Sequence, residues 1–168
     1  LPKPETEISL LFPCDNFSVA VAQIAGIFAS PHEPNAAAIL PQAIAAKSGV
    51  DVAGAMLAII RLEGIDVSVA DRAAHLLAAY KEGVKIDTDT STALWRQIRD
   101  VDLLADADGD IWKLSCAPAS APAIIATLFD QFDLQFFADW AGGLLWLAGP
   151  SGAEFGAAMR SALAANGN

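Results

Sequence analysis

The sequence predicts an α+β domain: an antiparallel or mixed sheet with helices on one face, built as two ferredoxin-like halves. Three observations predict it. Short apolar runs bounded by Pro, Gly and Asp recur in pairs, as strands do. Longer segments between them carry apolar residues at helical spacing. The second half of the chain then repeats the rhythm of the first, although no internal sequence repeat accompanies it. With 168 residues, 54% of them apolar, the chain can bury the core of one such domain.

In chain order, Ile8–Pro13 reads as a strand, followed by a helix with Phe17, Val21, Ile24, Ala25 and Phe28 on its apolar face and Asp15 or Asn16 as its cap. Ala36–Leu40 reads as a second strand, and the Ala-, Lys- and Gly-containing stretch after it carries no clear pattern. Ala55–Leu62 is an apolar run of central-strand character. Val69, Ala73, Leu76, Leu77 and Tyr80 then share a helix face, with Ser68 and Asp71 as a capping box and Gly83 at its end, before a strand from Val84 to Asp87. Leu94, Trp95, Ile98 and Val101 form the next helical stripe, capped by Thr90 or Ser91. Asp110–Ala117 alternates as a strand. Ser120 and Pro122 open a helix that buries Ile124, Ile125, Leu128 and Phe129. Leu134–Trp140 and Leu144–Ala148 are strands joined through Gly142-Gly143. Ser151 and Glu154 box the last helix, which buries Phe155, Ala158, Met159, Ala162 and Leu163. The chain stops just where that helix would turn back into the sheet, so a further strand is expected beyond it.

Charge excludes some partners. A net charge of −10, with no local cluster of Lys or Arg, repels phosphate backbones and anionic lipid. Nucleic acid is not expected, whereas a small anion needs only one or two placed cations. The uncharged stretches Asn16–Pro31 and Leu114–Phe129 fall short of a membrane span. Cys14 and Cys116 are too few for a disulfide scaffold and are expected as the reduced thiols of a cytosolic protein. The opening Leu1-Pro2-Lys3-Pro4, without initiator Met or signal pattern, suggests a segment of a longer protein.

Several motifs reduce to structure. Asp106-Ala107-Asp108-Gly109-Asp110 resembles part of a calcium loop, but aligning Gly109 puts Leu104 and Ser115 at required ligand positions. His32 and His75 have no partner at metal-ligand spacing. No glycine-rich dinucleotide or nucleotide loop is present. Three places carry more. Arg61, in Arg61-Leu62-Glu63-Gly64, ends an apolar strand, where it can grip a carboxylate or simply pair with Glu63. Lys113, beside Trp112, projects either into a cleft or into solvent. Asp139-Trp140-Ala141-Gly142-Gly143 places an acid between apolar strands, either lining a cleft or bonding the amides of a bulged corner.

Taken in order, these segments resemble the FAD-binding E subunits of bacterial glycolate oxidases. The likeness runs from a junction at Leu1-Pro2-Lys3-Pro4-Glu5 through Arg61-Leu62-Glu63-Gly64, Leu94-Trp95-Arg96, Ile98-Arg99-Asp100 and Ile111-Trp112-Lys113-Leu114-Ser115 to Asp139-Trp140-Ala141-Gly142-Gly143 and Trp146-Leu147. The family often has Arg where this chain has Lys113, and Lys cannot form a bidentate fork.

The resemblance implies that residues 1–168 are the C-terminal, substrate-side domain of a vanillyl-alcohol-oxidase-like flavoprotein whose preceding domain holds FAD. It implies oxidation of glycolate or a similar small 2-hydroxy acid by hydride transfer to flavin, giving glyoxylate. Electrons would pass to one flavin-linked and one iron–sulfur subunit, in a cytoplasmic complex peripheral to the inner membrane. Arg61 or Lys113 would be the cation beside the carboxylate, with Asp139 and Trp140 lining the cleft. Two other readings remain: a D-lactate or 2-hydroxyglutarate dehydrogenase domain, and a non-enzymatic ferredoxin-like module for subunit assembly or small-molecule binding.

Overall fold

A computed structural model describes residues 4–50, 52 and 54–166. Most of the expected junction, Leu1 to Lys3, and the final Gly167 and Asn168 lie outside them. The strands are β1 (Thr6–Cys14), β2 (Ala36–Leu40), β3 (Met56–Gly64), β4 (Val84–Ile86), β5 (Asp110–Ser115), β6 (Gln135–Asp139) and β7 (Leu144–Gly149). The helices are α1 (Phe17–Phe28), α2 (Gln42–Ser48), α3 (Asp66–Ala79), α4 (Thr88–Asp100), α5 (Ala121–Phe129) and α6 (Ala153–Ala165). The patternless stretch after β2 is thus α2, ended by Gly49 in the left-handed conformation.

All seven strands join one antiparallel sheet in the order β4-β1-β3-β2-β6-β7-β5. The first half, with order 4-1-3-2, is a ferredoxin-like unit with α2 inserted. The second half runs β6-β7-β5 outward from the centre, matching β2-β3-β1 of the first, so the sheet is nearly a palindrome about the β2–β6 junction. Among the described residues no strand covers the outer edge of β5.

Side-chain alternation divides the core in two, because successive strand residues face opposite sides of a sheet. Leu10 and Phe12 of β1, Ala58, Ile60 and Leu62 of β3, and Phe136 and Ala138 of β6 pack with α1, α3, α5 and α6 on one face. Leu11, Leu57, Ile59 and Phe137 pack on the other with α2, α4 and a 3-10 turn at Asp102–Leu104. The second face is only part-covered, and the uncovered part holds the candidate site.

Several helix boundaries and faces differ from expectation. Asn16, one of the two expected caps, does cap α1, its Oδ1 accepting from Val19 N–H at 3.0 Å. The buried stripe of α1 runs Phe17, Ala20, Val21, Ile24 and Ile27, leaving Ala25 and Phe28 exposed. Phe129, likewise expected inside, lies at the exposed end of α5. Asp87 caps α4, accepting from Thr90 N–H at 2.8 Å, so Thr90 and Ser91 lie inside the helix. α3 begins at Asp66 after an uncapped Ile65, which puts Ser68 in its first turn, and it ends at Ala79, before Gly83. α6 starts after Gly152, with no side-chain cap from Ser151. The Ser120 hydroxyl donates to Asn166 O instead of capping α5. A side-chain cap contributes only about 1 kcal/mol, so an expected cap is readily replaced by another local bond, as at Asp87, or by a long-range one, as at Ser120.

Candidate functional site

The uncovered part of the second sheet face forms a cleft of about 820 Å³. Arg61, Lys113, Asp139 and Trp140 all line it, although they come from β3, β5, the end of β6 and the turn that follows. Strand register explains the convergence. Arg61 sits opposite Ser9 of β1 and Ala36 of β2, whose small side chains leave it room. Lys113 sits opposite Trp146, which in turn sits opposite Phe137. Within β5, Trp112 turns to the helix-covered face, where it meets Phe155, and Lys113 turns to the cleft.

Arg61 is held by stacking more than by hydrogen bonds. Its guanidinium carbon lies 5.0 Å from the centre of the Trp95 ring, a cation–π contact. Its Nε lies 3.1 Å from Glu63 Oε1, but Nε–H is misaligned and finds no acceptor. The expected Arg61–Glu63 pair is therefore present as a loose ion contact, while the side chain still faces the cleft. Lys113 Nζ lies 5.5 Å from the Trp146 ring centre and 6.0 Å from that of Trp140. Among the described residues Lys113 makes no ion pair.

Trp95 is fixed from behind by a buried relay that the sequence did not reveal. Its Nε1–H donates to Ser9 Oγ at 2.8 Å, Ser9 and Ser91 hydroxyls are 2.8 Å apart, and Ser91 donates to Glu7 Oε1 at 3.0 Å. An indole N–H only donates and a carboxylate only accepts, so the Ser9 hydroxyl must donate to Ser91. Both serines are fully buried. Ser9→Ala is expected to cost about 1–3 kcal/mol, because it strands the Trp95 N–H and a Ser91 acceptor position. Urea unfolding followed by Trp fluorescence checks this. The available signal was Ser9 itself, a polar residue inside the apolar run Ile8–Pro13.

Asp139 plays the structural part expected of a corner residue and also lines the cleft. Its Oδ1 accepts from Trp140 N–H at 2.7 Å. That bond supports three successive left-handed residues, Trp140, Ala141 and Gly142, with φ of 51°, 58° and 96°. Only glycine adopts this region freely, so Trp140 and Ala141 are strained. The turn leaves the Trp140 indole 66% exposed at the cleft mouth.

Desolvation by burial raises the Asp139 pKa, more than the Trp140 amide and the Arg61 charge lower it. The folded state therefore holds the proton more tightly than the unfolded chain does. Stability falls as pH rises from the ordinary carboxylate value to the raised one, then levels off. Asp139→Asn keeps the acceptor oxygen and removes the charge. It is expected to gain stability relative to wild type across that window, which denaturant melts at a series of pH values measure.

The other candidates stay outside the cleft. Asp106 pairs with Lys47 at 2.7 Å, which holds its carboxyl below the usual range. His32 and His75 stack on each other at 5.9 Å, and among the described residues no group of metal-ligating side chains forms. Cys14 and Cys116 are free thiols raised by burial. Among the described residues no helix is long and apolar enough to cross a membrane.

No family model matches the chain, and neither does any curated protein. Solved structures do match its fold. A structure of p-cresol methylhydroxylase with substrate bound aligns with a TM-score of 0.65 at 11% identity, over 99% of this chain and 43% of that one. Two crystal forms of alkyldihydroxyacetonephosphate synthase align at 0.59 and 0.57, with 15% and 14% identity, over 99% and 98% of this chain and 40% of each of those. The chain thus spans 40% to 43% of the length of these structures.

Proposed function

We propose that this chain is the substrate-side domain of an FAD-dependent oxidoreductase acting on glycolate or a similar small 2-hydroxy acid. One observation carries the reading: two cations, Arg61 and Lys113, face one aromatic-walled cleft, and among the described residues neither donates a hydrogen bond to a carboxylate. The fold likeness to p-cresol methylhydroxylase and alkyldihydroxyacetonephosphate synthase supports an FAD-linked oxidase group. The ordered likeness to glycolate oxidase E subunits narrows it to 2-hydroxy acids.

The chain's own residues do not fit the nucleotide part of FAD. Among the described residues no glycine-rich strand-to-helix turn aims amides into the cleft, so the pyrophosphate needs another domain. What these residues fit is the acid. Arg61, held by Trp95, or Lys113, held by Trp146 with Trp140, offers a charge-assisted bond to its carboxylate. The indoles exclude water around that contact, which strengthens it. Flavin, when bound, would supply the two-electron acceptor: the alcohol carbon gives up a hydride to it and the hydroxyl a proton to solvent, leaving the 2-oxo acid. Delivery of electrons to a flavin-linked and an iron–sulfur subunit belongs to the same proposal.

The parent protein, expressed with its neighbouring subunits, tests this. Flavin absorbance together with glycolate-dependent dye reduction, lost in Arg61→Ala or Lys113→Ala while flavin stays bound, supports the reading. Activity indifferent to both substitutions sinks it. A non-enzymatic assembly module is the second reading, favoured by the exposed apolar residues Trp140 and Phe28 at the cleft.

A further inference from the structure

Asp139 stands where it can read the group beside the carboxylate of a bound acid. Its Oδ1 is committed to the Trp140 amide at 2.7 Å, and among the described residues no hydrogen bond or ion pair engages Oδ2. An ionised carboxylate oxygen accepts hydrogen bonds and donates none. A cleft-lining carboxylate with one oxygen anchored and the other open therefore discriminates by chemistry: it attracts an O–H and repels a C=O.

Strand geometry sets the distance from Asp139 to Arg61. Only β2 separates β6 from β3. Ala36 of β2 faces Arg61 and Ile39 faces Ala138, which offsets Asp139 from Arg61 by two strand spacings across the sheet and about two residues along it. At about 4.8 Å per strand and 3.4 Å per residue, their Cα atoms are roughly 12 Å apart. The two side chains reaching toward each other leave a gap the size of a two- or three-carbon acid, over a floor of Ala36 and Ala38. Lys113 lies two strands away on the other side, on β5. Yet the Asp139 carboxyl, raised by burial, is drawn back by the Trp140 amide and the Arg61 charge, with no such pull from Lys113.

We propose that Asp139 is a specificity-determining residue: with the carboxylate of the acid held at Arg61, its Oδ2 accepts the hydrogen bond of the 2-hydroxyl and turns away the corresponding 2-oxo acid. This inference rests on the functional reading above and adds how the cleft tells the alcohol from the ketone. A ketone offers Oδ2 lone pairs alone, so the site favours entry of the hydroxy acid and departure of its oxidised form.

The test is a set of chemical-shift titrations of the 168-residue chain, read at the indole N–H signals of Trp95 and Trp140. They are run at about pH 8, well above the ordinary carboxylate range. Lactate, pyruvate and propionate differ only at the second carbon, and glycolate against acetate repeats the hydroxyl comparison on a shorter acid. Lactate is expected to bind about tenfold or more tighter than pyruvate, with propionate between them. In Asp139→Asn the side-chain oxygen still accepts from the Trp140 N–H, while the amide now donates toward the cleft. The lactate-to-pyruvate ratio should then fall to near one or invert. A wild-type ratio near one, or a ratio that survives Asp139→Asn, overturns the role of Asp139. It leaves the 2-hydroxy-acid reading standing where Arg61→Ala still weakens binding. Failure of every acid to bind, or binding indifferent to Arg61→Ala, removes both.

Discussion

Arg61→Ala is expected to weaken the binding of a 2-hydroxy acid by roughly ten- to a hundredfold, the loss of about 1.5–3 kcal/mol of charge-assisted hydrogen bonding. The effect should be large because Arg61 combines charge with a fixed geometry. Its guanidinium rests on the Trp95 ring, and the relay through Ser9, Ser91 and Glu7 fixes that ring. Arg61→Lys separates the two contributions. It keeps the charge but loses the planar fork and most of the stacking, so it should recover only part of the affinity. Titration of wild type and both variants with glycolate measures this, and full recovery by Lys would reduce Arg61 to a source of charge. Folding should change less, since the contact to Glu63 is loose and a cation–π contact at a partly exposed site contributes only about 0.5–1 kcal/mol.

Phe137→Ala is expected to lower the stability of the chain by about 3–5 kcal/mol. Phe137 is wholly buried in β6, in the half of the core covered by α2 and α4. β6 is the strand that joins the two halves, and its register with β2 has a single matched pair, Ile39 with Ala138. With so little ladder at the junction, side-chain packing carries much of the connection, and a cavity there weakens both halves at once. For a chain of this size the melting temperature should drop by roughly 6–20 °C. A urea midpoint that falls with an unchanged slope would show lost stability rather than a changed unfolded state. A loss under 1 kcal/mol would mean that the junction collapses around the smaller side chain.

The strands were legible because they depend on short-range pattern. β2 was read at its observed bounds, and the other six came within a few residues of theirs, since apolar runs flanked by Pro, Gly and Asp leave few alternatives. Helix faces were less legible. On α1 Phe28, expected inside from its helical spacing, is exposed, and Ile27 takes the buried position. Capping residues were legible only where the motif stood alone, as at Asn16, and misleading where Ser or Thr recurred, as after Asp87.

Of the cleft, the sequence supplied the unusual residues but not their meeting. An Arg ending an apolar strand, a Lys within an alternating one and an Asp before paired glycines each stood out by type. Their roles toward a ligand remain part of the proposal. What the sequence determined by itself was local: the α+β class, the strand and helix segments, and which residues were out of place in them. Tertiary structure alone decided that β2 pairs with β6, which sets β5 and β7 beside the first half and so brings Lys113 and Asp139 into the same cleft as Arg61. It alone placed Ser9 against Ser91 and Trp95, residues more than eighty positions apart. The reason is physical: strand pairing and long-range burial depend on which surfaces meet after folding, and neighbours along the chain carry no record of that choice.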